Sequence, residues 1–466
     1  MTSPIVGYGT LSYWHDTAPI RPASRRLESG QRFDAVIVGG GYTGLWTAYH
    51  LLARDPGLRV AVLEREEVGF GASGRNGGFA MTRIGNSLHQ MVRDHGVERT
   101  RAVQHATERA VDGLVATVER EAIDCELRRG GLLVVATNET QERKVRRDLA
   151  AVEQLGLTGI RELSQEALQR KVHSPTYRMA MEEDCCAVVH PAKLARGLAD
   201  VVVAKGVALF ERVGTAAMTD EGTRVRVDTS DGPIYGGQGI IATNAWAARE
   251  PGLSRRVLPM YSYIIGTEPI GEDAWAEVGW SEWQAIEDKR VNLLYYRRTL
   301  DGRIMFGGRD HTATFGSRIG PRYDRNEHIF GLLQESFVHT FPQLAAVRFT
   351  HAWGGPVAMT PDFLPQFGSL SPRVHYGVGY CGHGVAPSYL GGEILTDLMM
   401  GETSARTELL FVNPHTGRFP PEPVRFAGAY LTRKQSLWYD EGGEAGQDLT
   451  REPMMLRVAS RLLRRS

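Results

Sequence analysis

The sequence predicts an α/β fold that opens on a strand–turn–helix–strand unit of a parallel sheet and carries a strand-rich region downstream. Three observations predict it. A strand, a glycine turn, a helix and a second strand follow one another within residues 33–64. Residues 239–243 (GIIAT) repeat the pattern of an apolar strand entering a small-residue turn, and strand signals dominate residues 260–308. The chain of 466 residues is 42% apolar and 23% charged, enough for a sizeable core and for two domains with insertions. Lys+Arg and Asp+Glu both number 54, so no global field recruits nucleic acid or an anionic membrane. The 53 glycines gather in a few short clusters rather than spreading as low complexity.

Residues 33–38 (FDAVIV) form a short β-branched apolar run that reads as a buried strand. Gly39, Gly40 and Gly41 follow, then Tyr42, Thr43 and Gly44, and residues 45–53 continue as a helix with Leu45, Ala48, Tyr49 and Leu52 on one face. Residues 59–63 (RVAVL) make a second strand ending in Glu64. In the Gly39-x-Gly41-x-x-Gly44 spacing the first glycine makes the turn, the second admits a pyrophosphate, and the third lets helix pack on strand. Glu64, 20 residues after Gly44, is placed to accept from a ribose hydroxyl and disfavours a 2′-phosphate. The motif therefore predicts FAD or NAD rather than NADP; the alternative is a purely structural glycine turn. Residues 69–78 (GFGASGRNGG) add five glycines in ten residues, plus Ser73, Arg75 and Asn76. Such a loop wraps the pyrophosphate and reaches toward a ring system, which favours FAD; the alternative is a mobile surface loop.

Downstream, residues 86–123 read as two helices separated near Gly96, 131–136 as a strand, and 164–171 as a short helix capped by Ser164. A helix begins at Pro191, followed by strands at 207–210 and around Val225 and Val227. The LLYYRR and RIMFGG segments flank Asp301-Gly302 as a hairpin, and 327–341 is helical. The block 374–400 runs HYGVGYCGHG into VAPSYLGGEILTDLMM, where Gly382, His383 and Gly384 form a turn before an apolar helix whose N–H groups face what lies above. Cys125, Cys185, Cys186 and Cys381 form no CxxC pair, so neither a disulfide framework nor a metal site is expected. The first 30 residues lack a secretory pattern and no window approaches ~18 continuous apolar residues, so the chain reads as soluble and cytoplasmic. Residues 453–466 are amphipathic and basic, expected to dock on the chain itself or a partner, or to rest on a membrane surface without insertion.

The ordered set of motifs resembles the FAD-dependent D-amino-acid oxidase, glycine oxidase and sarcosine oxidase (DAO) superfamily, in particular its gamma-glutamylputrescine oxidoreductase-like branch. It comprises Ser12-Tyr13-Trp14, VGGGYTG, Glu64, GASGRNGG, VVHPAKLARGLA, IIATNAW, RIMFGGRD, MTPDFLPQFG and GYCGHGVAPS, and covers roughly residues 10–430. The resemblance implies a discontinuous Rossmann-like FAD-binding domain (1–85, 186–255 and 350–430), a mixed-sheet α+β substrate domain (86–185 and 256–349), and a C-terminal tail or helix at 431–466. It implies non-covalent FAD held by Gly39, Gly41, Tyr42, Thr43, Gly44, Glu64, Arg65, Gly71, Ala72, Ser73, Arg75, Asn76, Gly77, Gly78, Val213, Thr243, Asn244, Trp246, Gly382, His383, Gly384 and Val385. The reaction it implies is oxidation of a C–N bond to an imine that water hydrolyses, with O2 or another acceptor reoxidising the flavin. Tyr261, Tyr296, Trp353 and His383 are the candidate catalytic or flavin-face residues. For the tyrosines the alternative is core packing, and for His383 it is a turn-stabilising role.

Departures from the family pattern bear on the substrate. In D-amino-acid and glycine oxidases an arginine five positions before the aspartate of the PD turn grips the carboxylate; that place is Val357 here. In sarcosine oxidases a lysine follows the GHG turn by two residues; here it is Ala386. The tethering cysteine is replaced by Gly355, and the oxygen-activating lysine falls near Met305. With both carboxylate anchors missing, the expected substrate is a primary or secondary amine, of gamma-glutamylputrescine or other extended type. Two alternatives stand beside it: a D-amino-acid or N-methyl-amino-acid oxidase with a relocated arginine (Arg75, Arg83, Arg297 or Arg309), and a non-catalytic FAD-binding protein. The oligomeric state is left open.

Overall fold

A computed structural model of the chain describes residues 11–22, 24–447 and 449; the amphipathic segment 453–466 and residues 1–10 thus lie outside the described residues. The predicted strand–turn–helix–strand forms as Arg32–Val38, Tyr42–Arg54 and Val60–Leu63. These strands sit in a parallel sheet ordered Val374–Val378, Gly232–Ile241, Arg32–Val38, Val60–Leu63, Ala208–Phe210. Alternation along Arg32–Val38 decides its two faces. Ala35 and Ile37 pack under the helices Tyr42–Arg54, Val97–Arg120, Pro191–Ala204 and Val385–Met400, while Val36 and Val38 pack under the antiparallel strands Thr215–Asp220 and Val225–Thr229 with Ala245 and Leu253. Helix Val385–Met400 approaches Tyr42–Arg54 closely at Gly392, where a Cβ would lie 2.7 Å from the Trp46 backbone.

The second, nine-stranded sheet is mixed, as expected. Its path is Thr312–Ala313, Leu258–Thr267, Ile304–Gly308, Leu294–Arg298, Ala285–Asp288, Leu132–Ala136, Met179–Glu183, Ile160–Ser164. The hairpin around Asp301-Gly302 is present, with Gly302 at φ +80°. Strand Phe349–Met359 also belongs here, paired with Leu258–Thr267 from Leu258 opposite Met359 to Thr267 opposite Phe349. The division at residue 350 therefore cuts a strand of this sheet: the chain returns to the parallel sheet only at Gln366–Ser371. Helix Glu139–Leu155, which the sequence expectation lacked, is capped by Asn138 and packs Val145 and Val152 against the sheet. No helix among the described residues is long and apolar enough to cross a membrane.

Helix Glu327–Thr340 covers one face of the mixed sheet with Phe330 and Phe337, and the residues that point that way along Leu258–Thr267 are Tyr261, Tyr263 and Ile265. The residues between them, Met260, Ser262 and Ile264, turn to the opposite face, which looks into a large cavity. The parallel sheet supplies the other wall.

Candidate active site

The cavity has a volume of about 1200 Å³. Its floor is the glycine turn. Gly39 has φ +119°, and a Cβ there would meet the Ala242 carbonyl at 2.5 Å; a Cβ on Gly44 would meet the Gly39 carbonyl at 2.0 Å. Gly44 thus lets helix and strand touch but does not line the cavity, whereas Gly39, Gly41, Tyr42 and Thr43 do. Gly41 precedes the helix without a side-chain cap, so the positive helix end opens onto the cavity; the Tyr42 N–H donates to Ser73 Oγ at 2.9 Å. Glu64 stands at the end of its strand, its carboxylate accepting from the Gly40 and Glu66 N–H groups at 2.8 and 2.9 Å. Burial pushes its carboxyl above the usual range.

The second glycine loop is pinned from three sides. Ser12 Oγ donates to the Gly74 carbonyl at 2.8 Å, Trp14 Nε1 to the Asn76 carbonyl at 2.8 Å, and Trp353 Nε1 to the Arg75 carbonyl at 2.9 Å. Asn76 braces the loop internally, accepting from the Gly78 N–H at 2.7 Å and donating to the Ala72 and Ser73 carbonyls. The loop is an ordered wall that brings Gly71, Ala72, Ser73, Arg75, Asn76 and Gly77 to the cavity. Arg75 is buried, donates to the Phe70 carbonyl at 2.8 Å and pairs with Asp324 at 2.9 Å. It also occupies the space beside Gly355, where a Cβ would lie 3.2 Å from Arg75 Cδ.

Thr243, Asn244 and Trp246 line the cavity after the long strand, with Arg65 stacked 5.8 Å from the Trp246 ring centroid. On the far side Gly382 (φ +92°), His383, Gly384 and Val385 form the turn that starts the last sheet-covering helix. Burial keeps the His383 imidazole below its usual pKa, hence neutral, and pushes the Cys381 thiol up to about 12, too high for a thiolate nucleophile. His383 Nδ1 lies 3.1 Å from the Cys381 carbonyl, so the side chain both stabilises its turn and faces the cavity.

Three of the four candidate catalytic residues are placed elsewhere. Tyr261 and Tyr296 lie on the helix-covered face of the mixed sheet; Tyr296 shares a 2.7 Å hydrogen bond with Tyr177, and the Tyr261 hydroxyl accepts from the Gly320 N–H at 3.1 Å. Trp353 packs against Trp14 and braces the glycine loop. On the mixed sheet the tyrosine that lines the cavity is the adjacent Tyr295, whose ring crosses Gly307 toward Ser262, hydroxyl to hydroxyl 3.3 Å. A Cβ on Gly307 would lie 2.6 Å from that ring. Among the cofactor candidates, Gly78 and Val213 also stand off the cavity: Gly78 is backed by the Val189 carbonyl, and Val213 is buried beside the parallel sheet, its N–H donating to the Glu64 carbonyl at 2.9 Å. The neighbouring Thr215 and Ala216 line the wall instead.

Sequence reasoning missed two contributors. Helix Val424–Glu444 begins before residue 431 and closes the cavity with Val424, Arg425, Ala429, Thr432, Arg433 and Ser436. It is anchored by Arg433 on the buried Asp310, by Glu444 on Arg290 and Arg309, and by Asp440, which accepts from the N–H groups of Val291 and Asn292 at 2.8 and 2.9 Å. Those two residues line the cavity as well. Asp440→Ala is expected to cost about 1–3 kcal/mol and to make the helix sensitive to protease; a melting curve and limited proteolysis check it, and an unchanged digestion pattern would count against the anchor.

The second is a buried charge cluster on the cavity wall. Glu287 lines the cavity and pairs with Arg83 at 3.2 Å; Glu183, hydrogen-bonded to Thr82, and Asp148, paired with Lys289, also surround Arg83. Burial pushes Glu183 up to about 7, against 4.5 for an ordinary glutamate. The folded protein therefore holds this proton more tightly than the unfolded chain, so the associated stability is full below about 4.5 and is lost as pH rises through about 7. Glu183→Gln is expected to melt progressively higher relative to the parent as pH rises across that window. A pH-independent difference in Tm would contradict this.

The donor set fits an adenine dinucleotide. The open helix start, the Cβ-free walls at Gly39, Gly41, Gly71 and Gly77, and the Glu64 carboxylate suit pyrophosphate and ribose, and the buried Thr243 Oγ1 at the wall has no protein partner.

Comparison with known proteins agrees with this geometry. The profile of the DAO family, described as FAD dependent oxidoreductase, matches residues 34–398. The chain is 31% identical over 395 residues to gamma-glutamylputrescine oxidoreductase of Escherichia coli (strain K12), covering 84% of this chain and 89% of that protein. It is 30% identical over 432 residues to the probable oxidoreductase OrdL of Rhizobium meliloti (strain 1021), covering 92% and 96%. Among solved structures, glycine oxidase from Geobacillus kaustophilus superposes with TM-score 0.67 at 22% identity, over 80% of this chain and 96% of that one. The chain belongs to the DAO family of FAD-dependent oxidoreductases.

Proposed function

We propose that this enzyme oxidises the C–N bond of a primary or secondary amine with no carboxylate on the carbon next to the reacting nitrogen, an extended amine of the gamma-glutamylputrescine kind, giving an imine that water hydrolyses. The observation that carries the reading is that neither of the family's two carboxylate anchors is present. Val357 lines the cavity where the family's arginine would stand, and Ala386 is fully buried. The four arginines named above as stand-ins are each engaged: Arg75 with Asp324, Arg83 with Glu287, Arg309 with Glu444, and Arg297 with the Val189 carbonyl at 2.5 Å. An α-carboxylate desolvated beside Val357 would lack the cation that makes its burial affordable.

The glycine turn, Glu64, the 71–77 loop, Thr243, Asn244 and the 382–385 turn would hold FAD non-covalently, and the bound flavin would supply the hydride acceptor. No cysteine stands at Gly355 to tether it. The chain's own residues position and desolvate. Tyr295, Met260, Ile264 and Met359 form an apolar wall that excludes water and favours the neutral amine, whose lone pair the reaction needs. His383 and Cys381 stay uncharged there, so neither repels the substrate nor acts as a nucleophile. Electrons then pass to O2 or another acceptor. Met305 packs against Trp14 and Trp353, away from the cavity, so it contributes no cation to oxygen activation.

The test is anaerobic titration of the holoenzyme with diamines, N-alkyl amines, gamma-glutamylputrescine and matched α-amino acids, reading loss of the flavin band near ~450 nm. Bleaching by amines and not by amino acids is expected. Bleaching by amino acids alone would overturn the substrate class, and no bleaching by any amine would overturn the reaction.

A further inference from the structure

Behind one wall of the cavity lies the cluster of Arg83, Glu287, Glu183, Asp148 and Lys289. Its members come from four separate segments, and Glu287 is the one that reaches the cavity, on the strand position opposite Tyr295. Its side chain is 3% exposed. Counted formally, three carboxylates face two cations, so the cluster is one positive charge short. A buried excess of negative charge is costly and is relieved either by a proton or by an added cation. Burial, more than its carboxylate neighbours, holds the Glu183 proton up to about 7; once that proton is lost the third carboxylate is ionised and the cluster lacks a cation. The other charges near this part of the wall do not relieve it: Arg433 is matched by Asp310, and His383 and His311 are kept neutral by burial. The lining residues Val291, Leu293, Tyr295, Met359 and Phe363 add no charge.

We propose that Glu287 is a specificity-determining residue: its carboxylate receives the ammonium group of the entering amine, which supplies the cation the cluster lacks. Arg83 is its positioning residue, holding the carboxylate at the wall from behind. The inference rests on the amine reading above and deepens it, because it makes the site select for a positive charge as well as tolerate the loss of a carboxylate anchor. A substrate that arrives as a cation is thus bound before the apolar wall strips it of water.

The experiment separates charge from shape with two ligands that differ in little else, the n-butylguanidinium cation and neutral n-butylurea. Each is titrated into the FAD-loaded enzyme, with the change in the flavin absorption band reporting binding. The parent enzyme is expected to prefer the cation by about tenfold or more, as a charge-assisted hydrogen bond provides. Glu287→Gln is expected to level the two ligands by weakening the cation alone, and Glu287→Asp to keep the preference. An undiminished preference in Glu287→Gln, or an equal loss of both ligands, would overturn the proposal, the second by showing a merely structural role. Because the readout is binding, its failure is distinct from that of the proposed reaction. Amines that bleach the flavin equally well in Glu287→Gln would sink the cation site and leave amine oxidation standing. Cation selectivity without bleaching would do the reverse.

Discussion

Gly44→Val is expected to yield a protein without bound flavin, the largest single-residue effect this site offers. A Cβ at position 44 would stand 2.0 Å from the Gly39 carbonyl oxygen and 3.2 Å from Ile37 Cγ2, and both are held by strand Arg32–Val38. The contact is with backbone, so no side chain can swing away. Helix Tyr42–Arg54 must move off its strand, taking with it the helix start on which the pyrophosphate depends. The expected result is less than about a tenth of the parent's flavin-to-protein absorbance ratio after desalting, with a loss of stability of about 3 kcal/mol or more from overpacking. Gly41→Ala separates the two effects, because its Cβ would meet only the Ser73 hydroxyl at 2.9 Å, a side chain that can rotate. It should fold normally and still bind FAD more weakly. Gly331→Ala in helix Glu327–Thr340, with nothing within 4 Å and away from the cavity, serves as the control. Full flavin occupancy in Gly44→Val would refute the assignment of this turn.

Val357→Arg is expected to redirect the substrate preference. The position lines the cavity on strand Phe349–Met359, opposite Met260 across the sheet, and neither neighbour carries charge. A guanidinium there offers a bidentate partner to a carboxylate, worth roughly 1.5–3 kcal/mol when water is excluded, or about ten- to a hundredfold in affinity. The same charge repels an ammonium group. Competitive binding of propionate should therefore appear, and the KM for amines should rise about tenfold or more. Steady-state kinetics with and without propionate read both effects together. Unchanged amine kinetics with no propionate binding would show that position 357 does not face the substrate.

The comparison between what the chain announces and what the fold does with it turns on particular residues. The glycine turn, Glu64 and the 71–77 loop were legible because their constraint is local. The spacing of three glycines between an apolar strand and a helix has one low-strain solution, and Gly39 at φ +119° is part of it. The tyrosines were legible only as a pair of alternatives. Alternation along Leu294–Arg298 says that Tyr295 and Tyr296 face opposite ways, but not which way is in. Helix Glu327–Thr340 and the Phe341 that follows it settle that from a distant part of the sequence: Phe341 packs on Tyr296 and Phe337 on the neighbouring Phe306, leaving Tyr295 to the cavity. Trp353 had the sequence position of a pocket residue and became a brace because its indole N–H found the Arg75 carbonyl.

By itself the sequence determined the α/β class and the glycine turn between strand and helix with Glu64 closing the next strand, since each depends on residues a few positions apart. The tertiary structure alone decided which face of the mixed sheet lines the cavity, that helix Val424–Glu444 closes it, and that Arg83, Glu183 and Glu287 share one buried cluster. Such contacts join segments tens to hundreds of residues apart, and their geometry follows from burying apolar faces and pairing buried charge across the whole molecule, which no local spacing encodes.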